Sequence, residues 1–376
     1  VIYLDNSATT QLDPAVLDVM LPWLRDGYGN ASSIYRLGRE ARVAIEQARM
    51  DVARALGAHP AEITFTSGGT EANNAILKSC VETSNLADAL AVGATEHHAV
   101  LAPSEELAHR GTPLTVLPVD GSGRVDLDAV RRVNGPRTLV SVMHANNETG
   151  VLQPIADVRA AAPDVLLHAD AVQSFGKVPI DVGALGVDFL SMSAHKVHGP
   201  KGVGAMFIRK GIDFKAHQQG GGQERNRRAG TEPVALIVGF AAAVNRAVAA
   251  MEDRAALMRQ RIGRARRAIL DTIPEVRVNT PDEGVLPNIL NVSFLDAERL
   301  DGEAILQMMD IRGVAVSNGS ACVSGSLQPS HVLSAMGLPP AEAKAAVRLS
   351  VSKDTTDDEI DEAVAILADV VRNLRV

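Results

Sequence analysis

With 376 residues, 46% of them hydrophobic and 22% charged, the chain can bury a large core and divide into two domains. A formal net charge of -8 argues against a nucleic-acid-binding surface, leaving one local basic cluster, Arg225, Arg227 and Arg228, as a candidate anion site. The longest apolar run, 234–244, falls far below the roughly 20 residues that a membrane span requires, so no membrane partner is expected.

Residues 1–5 read as a strand and show no basic region followed by an apolar stretch, which makes the cytoplasm the expected compartment. Asp13 and Pro14 supply an N-cap and a first-turn proline, and a helical pattern over 38–56 stops at Gly57. Strands are predicted at 62–66, 89–95, 138–143, 165–169, 189–193 and 204–209, alternating with amphipathic helical patterns. This alternation predicts an α/β fold with a mainly parallel sheet covered by helices. It changes after about residue 250, where a long charged helix over 252–272 leads to an apolar stretch at 288–294 and then to a loop-rich segment. The expected division is therefore a larger domain at 15–251 and a smaller one made of 1–14 and 252–376. Thr356 and Glu359 have capping-box spacing and open a terminal helix.

Ligands of open α/β sheets sit beyond the carboxyl ends of the strands, and the candidate residues are found there. The turn Ser67-Gly68-Gly69-Thr70 opens a helix, so its backbone amides and the Thr70 hydroxyl suit a phosphate; the same composition also makes plain strand-to-helix turns. The next strand runs into Glu96, His97 and His98. Either imidazole could stack on a flat ring in a chain with only 3% aromatic residues. Asn147 follows the next strand as an amide donor. Asp170 then ends a strand where a carboxylate would suit a protonated pyridine nitrogen, and Gln173 lies three residues on, in reach of a ring hydroxyl. Last come Ser193, His195 and Lys196. A lysine desolvated at the end of a buried strand loses part of its preference for the ammonium form, and its free amine can form a Schiff base with a carbonyl such as that of pyridoxal phosphate.

The two cysteines form no Cys-x-x-Cys pair and offer no metal cluster of their own. Cys80 lies on a helical pattern and reads as a small buried hydrophobe. Cys322 lies among Ser, Gly and Ala, in a loop at about 318–332, and has little to pack against.

Taken together, Tyr3-Leu-Asp-Asn-Ser-Ala-Thr-Thr10, Phe65-Thr-Ser-Gly-Gly-Thr-Glu71, Thr95-Glu-His97, Asn146-Asn-Glu-Thr-Gly150, His168-Ala-Asp-Ala-Val-Gln173, Ser193-Ala-His-Lys196 and the stretch around Cys322 resemble the cysteine desulfurases. These are pyridoxal-phosphate enzymes of fold type I in the class V aminotransferase superfamily. The resemblance covers essentially the whole chain. It implies a mainly parallel seven-stranded sheet with a smaller α+β domain. Lys196 would carry the Schiff base, Asp170 would pair with the ring nitrogen, Gln173 would contact the ring oxygen, and His97 would stack on the ring and act as acid/base. Gly69, Thr70, Ser193 and His195 would hold the phosphate, together with Thr231 from the partner subunit of a homodimer. Asn147 would lie near the cofactor hydroxyl and the substrate, and Arg348 would bind the substrate carboxylate. The implied reaction converts L-cysteine to L-alanine, leaves a persulfide on Cys322, and passes sulfur to an acceptor or iron–sulfur scaffold protein, with no metal of the chain's own.

Asn318 and Val323 depart from the family pattern beside the cysteine, which implies altered loop packing or acceptor preference. The loop motif at 324–331 leans toward the nitrogen-fixation type. A selenocysteine lyase or an aminotransferase on the same scaffold, a non-catalytic sulfur carrier, and an anion-binding regulator using the arginine cluster are the competing readings.

Overall fold

The computed structural model describes residues 1–319 and 328–375. Twelve strands are found among them. The first eight are β1 (Ile2–Tyr3), β2 (Ile63–Thr66), β3 (Ala89–Gly93), β4 (Leu114–Leu117), β5 (Thr138–Ser141), β6 (Leu166–Asp170), β7 (Phe189–Ser193) and β8 (Gly204–Ile208). The remaining four are β9 (Val276–Val278), β10 (Ile289–Phe294), β11 (Val314–Ala315) and β12 (Val347–Ser350).

Seven of these form one sheet in the order β2-β8-β7-β6-β5-β3-β4. β8 runs antiparallel to both β2 and β7, while the other pairs are parallel. The interior strands β5 to β8 are almost wholly buried and apolar, as sheets covered on both faces require. The helices Pro14–Arg25, Arg36–Arg54 and Val234–Ala249 contribute Val16, Ile45, Val52, Ile237 and Phe240 to the core beneath it. As expected, Asp13 caps the first of these, its carboxylate accepting from the Ala15 amide at 3.0 Å, with Pro14 at the first helical position.

Two of the predicted strands end two residues early. β3 stops at Gly93 and β5 at Ser141, because the chain turns there and the buried Glu96 side chain accepts from the Met143 amide. β4 was not predicted; it is a four-residue edge strand whose two central residues, Thr115 and Val116, are exposed, too short to show a period.

β12, β10 and β9 form a second, antiparallel sheet. It packs through Val292, Phe294 and Leu349 with residues such as Met258, Ile269, Ile360 and Leu367 of the helices Met251–Thr272 and Asp357–Leu374. The latter opens with the predicted capping box: Thr356 accepts from the Glu359 amide while Glu359 accepts from that of Thr356. β1 pairs with β11. Val234–Ala249 and Met251–Thr272 meet at a 73° bend, and no single helix among the described residues is long and apolar enough to cross a membrane.

A polar seam crosses the large sheet. His168 on β6 is fully buried between Ser141 on β5 and Ser191 on β7, with Nδ1 2.8 Å and Nε2 3.0 Å from their hydroxyls. Burial pushes its imidazole down to about 3, so it stays neutral.

The arginine cluster is largely paired within the chain. Arg225 and Arg228 meet Glu46 and Glu71, and Arg227 donates to the Ala61 carbonyl. The adjoining Glu224, Arg225 and Asn226 all have positive φ, of 47°, 58° and 62°, a region that such residues rarely occupy. What offsets that strain is Glu224: it accepts from the Phe65 amide at 2.8 Å and from both terminal nitrogens of Arg49 at 2.6 and 2.8 Å, with both side chains nearly fully buried.

Two stability predictions follow from these buried groups. Arg49→Met strands the Glu224 carboxylate and is expected to destabilise the fold by about 3–5 kcal/mol, seen as a lowered urea midpoint; a loss below about 1 kcal/mol would show the pair to be dispensable. His168 has a depressed folded pKa, so its contribution is present above the unfolded value near 6.5 and falls away below it, at about 1.4 kcal/mol per pH unit. His168→Gln should therefore flatten the loss of stability between pH 6.5 and 5, and an unchanged slope would contradict the neutral assignment.

Candidate active site

The carboxyl ends of β2, β3, β5, β6 and β7 open into one cavity of about 370 Å³. Ten of the sequence-predicted residues line it: Gly69 and Thr70 after β2, His97 after β3, Asn147 after β5, Asp170 and Gln173 on and after β6, Ser193, His195 and Lys196 on and after β7, and Arg348 from β12. Thr231 is exposed and does not line the cavity. Cys322 and Val323 lie outside the described residues, whereas Gly319, just before them, reaches the cavity wall.

The turn after β2 is shaped by close approach. A Cβ on Gly69 would fall 2.5 Å from a Val172 methyl, and one on Gly204 would fall 2.4 Å from the Met192 carbonyl and 2.7 Å from the Gly68 Cα. β8 can approach this turn so closely only because residue 204 has no side chain. The helix Gly69–Lys78 that follows has no side-chain cap at its N-terminus, leaving backbone donors and the positive end of its dipole toward the space beside Thr70 and Ser193.

Asp170 has a donor on each oxygen: Asn73 Nδ2 at 2.7 Å on Oδ2 and the Val172 amide at 2.9 Å on Oδ1. His97 caps the helix His98–His109 by accepting from the Ala99 amide at Nδ1, 3.0 Å away, which assigns the proton of the neutral ring to Nε2. Burial holds its pKa below the usual value, with Asp170 pulling the other way. This geometry separates the two candidate histidines: His97 lies toward Asp170 and Lys196, while His98 faces His331, with ring centroids 4.9 Å apart.

Lys196 donates to the carbonyls of Ser7 and of Ala8, the latter at 2.7 Å. Beside it, burial first and Lys196 second push His195 down to about 4, and its Nδ1 lies 3.1 Å from the Thr9 hydroxyl. Gln173 Nε2 donates to the same Ser7 carbonyl at 2.8 Å. Arg348 is buried and committed on one side: it donates to Asp5 at 2.6 Å and to the Asn147 carbonyl at 2.8 Å, while its Nε has no partner among the described residues.

Asn73, Ser7, Glu148 and His331 also line the cavity, and sequence reasoning assigned none of them a role. Their signal was faint. Asn73 lies one turn into a helix, while Ser7 and Glu148 stand inside quoted motifs without a strand end to place them. His331 Nε2 lies 2.9 Å from the Glu96 carbonyl, a contact between residues 235 positions apart. Cys80 is fully buried, as expected, and burial pushes its thiol up. No three metal-ligating side chains cluster among the described residues.

The donor set fits pyridoxal 5′-phosphate. The uncapped helix end with Thr70, Ser193 and His195 suits a phosphate, Asp170 suits a protonated ring nitrogen, and Lys196 suits a carbonyl. Ser7 Oγ and Gln173 Oε1 are buried with no partner among the described residues, a condition that polar groups of a bound ligand relieve.

The comparisons agree with that chemistry. The family model for class-V aminotransferases matches residues 2–363. A cysteine desulfurase of Bradyrhizobium diazoefficiens is 45% identical, covering 100% of this chain and 95% of the relative. Among solved structures, a NifS-like protein superposes with a TM-score of 0.91 at 37% identity, covering 99% of both chains. A structure of SspA in complex with cysteine has a TM-score of 0.81 at 34% identity, covering 94% of this chain and 99% of that one. The chain belongs to the class-V aminotransferase family and, within it, to the cysteine desulfurases.

Proposed function

We propose that this chain takes sulfur from L-cysteine, releasing L-alanine and leaving a persulfide on Cys322, with the cavity residues dividing the work as follows. The observation that carries the reading is the convergence of Lys196, Asp170, His97 and an uncapped helix N-terminus on one cavity. Bound there, pyridoxal 5′-phosphate supplies an electron sink for charge developing at the substrate α carbon.

The Gly69 and Thr70 amides, with the side chains of Thr70, Ser193 and His195, would hold the phosphate end. His195 is kept neutral by burial and by Lys196, so it donates one N–H and adds no charge. Asp170, fixed by Asn73 and the Val172 amide, would face the ring nitrogen, and Gln173 and Asn147 would address the ring oxygen. Lys196 would hold the cofactor through its carbonyl carbon, and its amine, once released, would accept the substrate α proton. His97 keeps its Nε2 proton available above its lowered pKa and serves the substrate sulfur. Arg348 receives the substrate carboxylate, sharing its guanidinium with Asp5. The Cys322 thiolate attacks the substrate sulfur: an S–S bond forms, the carbon–sulfur bond breaks, and alanine departs after protonation, so no outside oxidant is needed.

The reading extends to organisation. The chain divides near residue 251, with residues 15–251 holding the cofactor and the remainder bringing Arg348 and Cys322 to it. Thr231, exposed at the end of the loop braced by Glu224, reaches the phosphate site of a second copy in a homodimer. A sulfur-acceptor protein then draws the persulfide from Cys322.

Lys196→Ala is expected to abolish the visible band of bound cofactor and all turnover; a yellow, active variant would defeat the assignment. Cys322→Ser should keep the band and its response to cysteine yet form no protein persulfide, as read by alkylation and mass spectrometry. Arg348→Lys, which loses the bidentate fork, should raise the KM for cysteine by about tenfold or more, equivalent to about 1.4 kcal/mol or more. An unchanged KM would place the carboxylate elsewhere.

A further inference from the structure

Glu148, in the turn after β5, is a buried carboxyl group on the cavity wall that the proposed reaction does not use. Its backbone is fixed from two sides: the Glu148 amide donates to Asn146 Oδ1 at 2.8 Å, and Asn291 Nδ2 on β10 donates to the Glu148 carbonyl at 3.3 Å. The residue is 1% exposed, so the bonds of its side chain are shielded from water and costly to break.

One of its oxygens, Oε2, meets two distant places in the sequence. Ser330 Oγ donates to it at 2.5 Å, and the same hydroxyl caps the helix His331–Ala335 by accepting from the Leu333 amide at 3.2 Å. Gly319 packs against that oxygen as well: a Cβ there would fall 2.6 Å from Oε2, and its φ of 101° is one that other residues adopt only under strain. Cys322 lies between the two, three positions after Gly319 and eight before Ser330. Three residues of chain span at most about 11 Å, so a fixed Gly319 bounds how far the thiol can stray from the cavity wall. Other bonds hold one end each. Arg348 Nη1 donates to the Gly319 carbonyl at 3.4 Å, the Gly319 amide donates to Ser317 Oγ at 3.1 Å, and His331 Nε2 lies 2.9 Å from the Glu96 carbonyl. Glu148 reaches both ends.

We propose that Glu148 is a positioning residue for Cys322: its carboxylate seats both ends of the segment that carries the thiol, and so raises the effective concentration of that thiol at the substrate sulfur. The inference rests on Cys322 being the thiol that takes the sulfur. Releasing the ends enlarges the volume that the thiol explores, which slows its attack without altering how the cavity captures cofactor or cysteine.

The test mixes the cofactor-loaded full-length chain rapidly with cysteine and reads two rates, the change in the visible band of the cofactor and the appearance of persulfide on Cys322, the latter by quenching, alkylation and mass spectrometry. Glu148→Ala should slow persulfide formation by about tenfold, the size of effect that loss of one such hydrogen bond carries, while the band changes at the wild-type rate. Ser330→Ala should slow it similarly, and the double variant should be no slower than the slower single one, since both remove the same bond. Glu148→Gln keeps an acceptor oxygen at the same place and should restore most of the rate. A wild-type rate of persulfide formation in Glu148→Ala overturns the proposal, as do a multiplied loss in the double variant and an equal slowing of the band change. If Glu148→Ala fails to retain the wild-type far-ultraviolet circular dichroism, Ser330→Ala decides by the same two rates. Persulfide on Cys80 in the wild-type chain, or on neither cysteine, overturns the assignment of Cys322 itself, so the two failures are distinguishable.

Discussion

The residues from Asp5 to Thr10 tie the two sheets into one site. Asp5 pairs with Arg348 on β12, the Ser7 and Ala8 carbonyls accept from Lys196, and Thr10 donates to the His195 carbonyl while accepting from the His198 amide. Asn6 adds a bond to the Ser350 carbonyl at 2.8 Å. The carboxylate-binding candidate and the Schiff-base candidate come from sheets with separate hydrophobic cores, and neither core fixes their separation. This strap does, by bonding to both. Its bonds to Lys196 are made by backbone carbonyls, which orient the amine without offering it a counter-charge.

Much of the large sheet is legible in the sequence because burial on both faces writes long apolar runs, and the polar residues that end them stand out. β7 is the clearest case: Phe189 to Ser193 is apolar until its hydroxyls, and Lys196 follows within a turn. Where a strand is half exposed, as in β4, the pattern disappears. Where a side chain pulls the strand into a turn, as Glu96 does at Met143, periodicity overruns the true end. Both failures have the same origin: local composition records burial, not the long-range bond that stops a strand.

The site is legible in the same measure. Residues at strand ends were found from order alone, and the choice between His97 and His98 was not, since it depends on which ring caps the helix and which turns toward His331. Asn73, Ser7 and His331 act across 97, 189 and 235 positions of sequence, on Asp170, Lys196 and Glu96, and no spacing rule reaches that far. Arg348 was placed by family pattern, and the geometry adds what the pattern lacked, its partner Asp5.

Three buried carboxyl groups surround this cavity, and the hydrogen bonds they receive set them apart. Asp170 has a donor on each oxygen. Glu96 accepts from the Met143 amide on one oxygen and has its other oxygen without a partner among the described residues; burial, with Asp170 adding to it, pushes its pKa well up. Glu148 is likewise raised by burial, and Ser330 donates to it at 2.5 Å. A buried carboxyl group keeps its charge only where donors replace the lost water. Thus burial raises the pKa of both glutamates, that of Glu96 well above the usual carboxylate range, beside an aspartate whose oxygens are each hydrogen-bonded. What distinguishes the aspartate from them is a donor on each of its oxygens, the Asn73 side chain on one and the Val172 amide on the other.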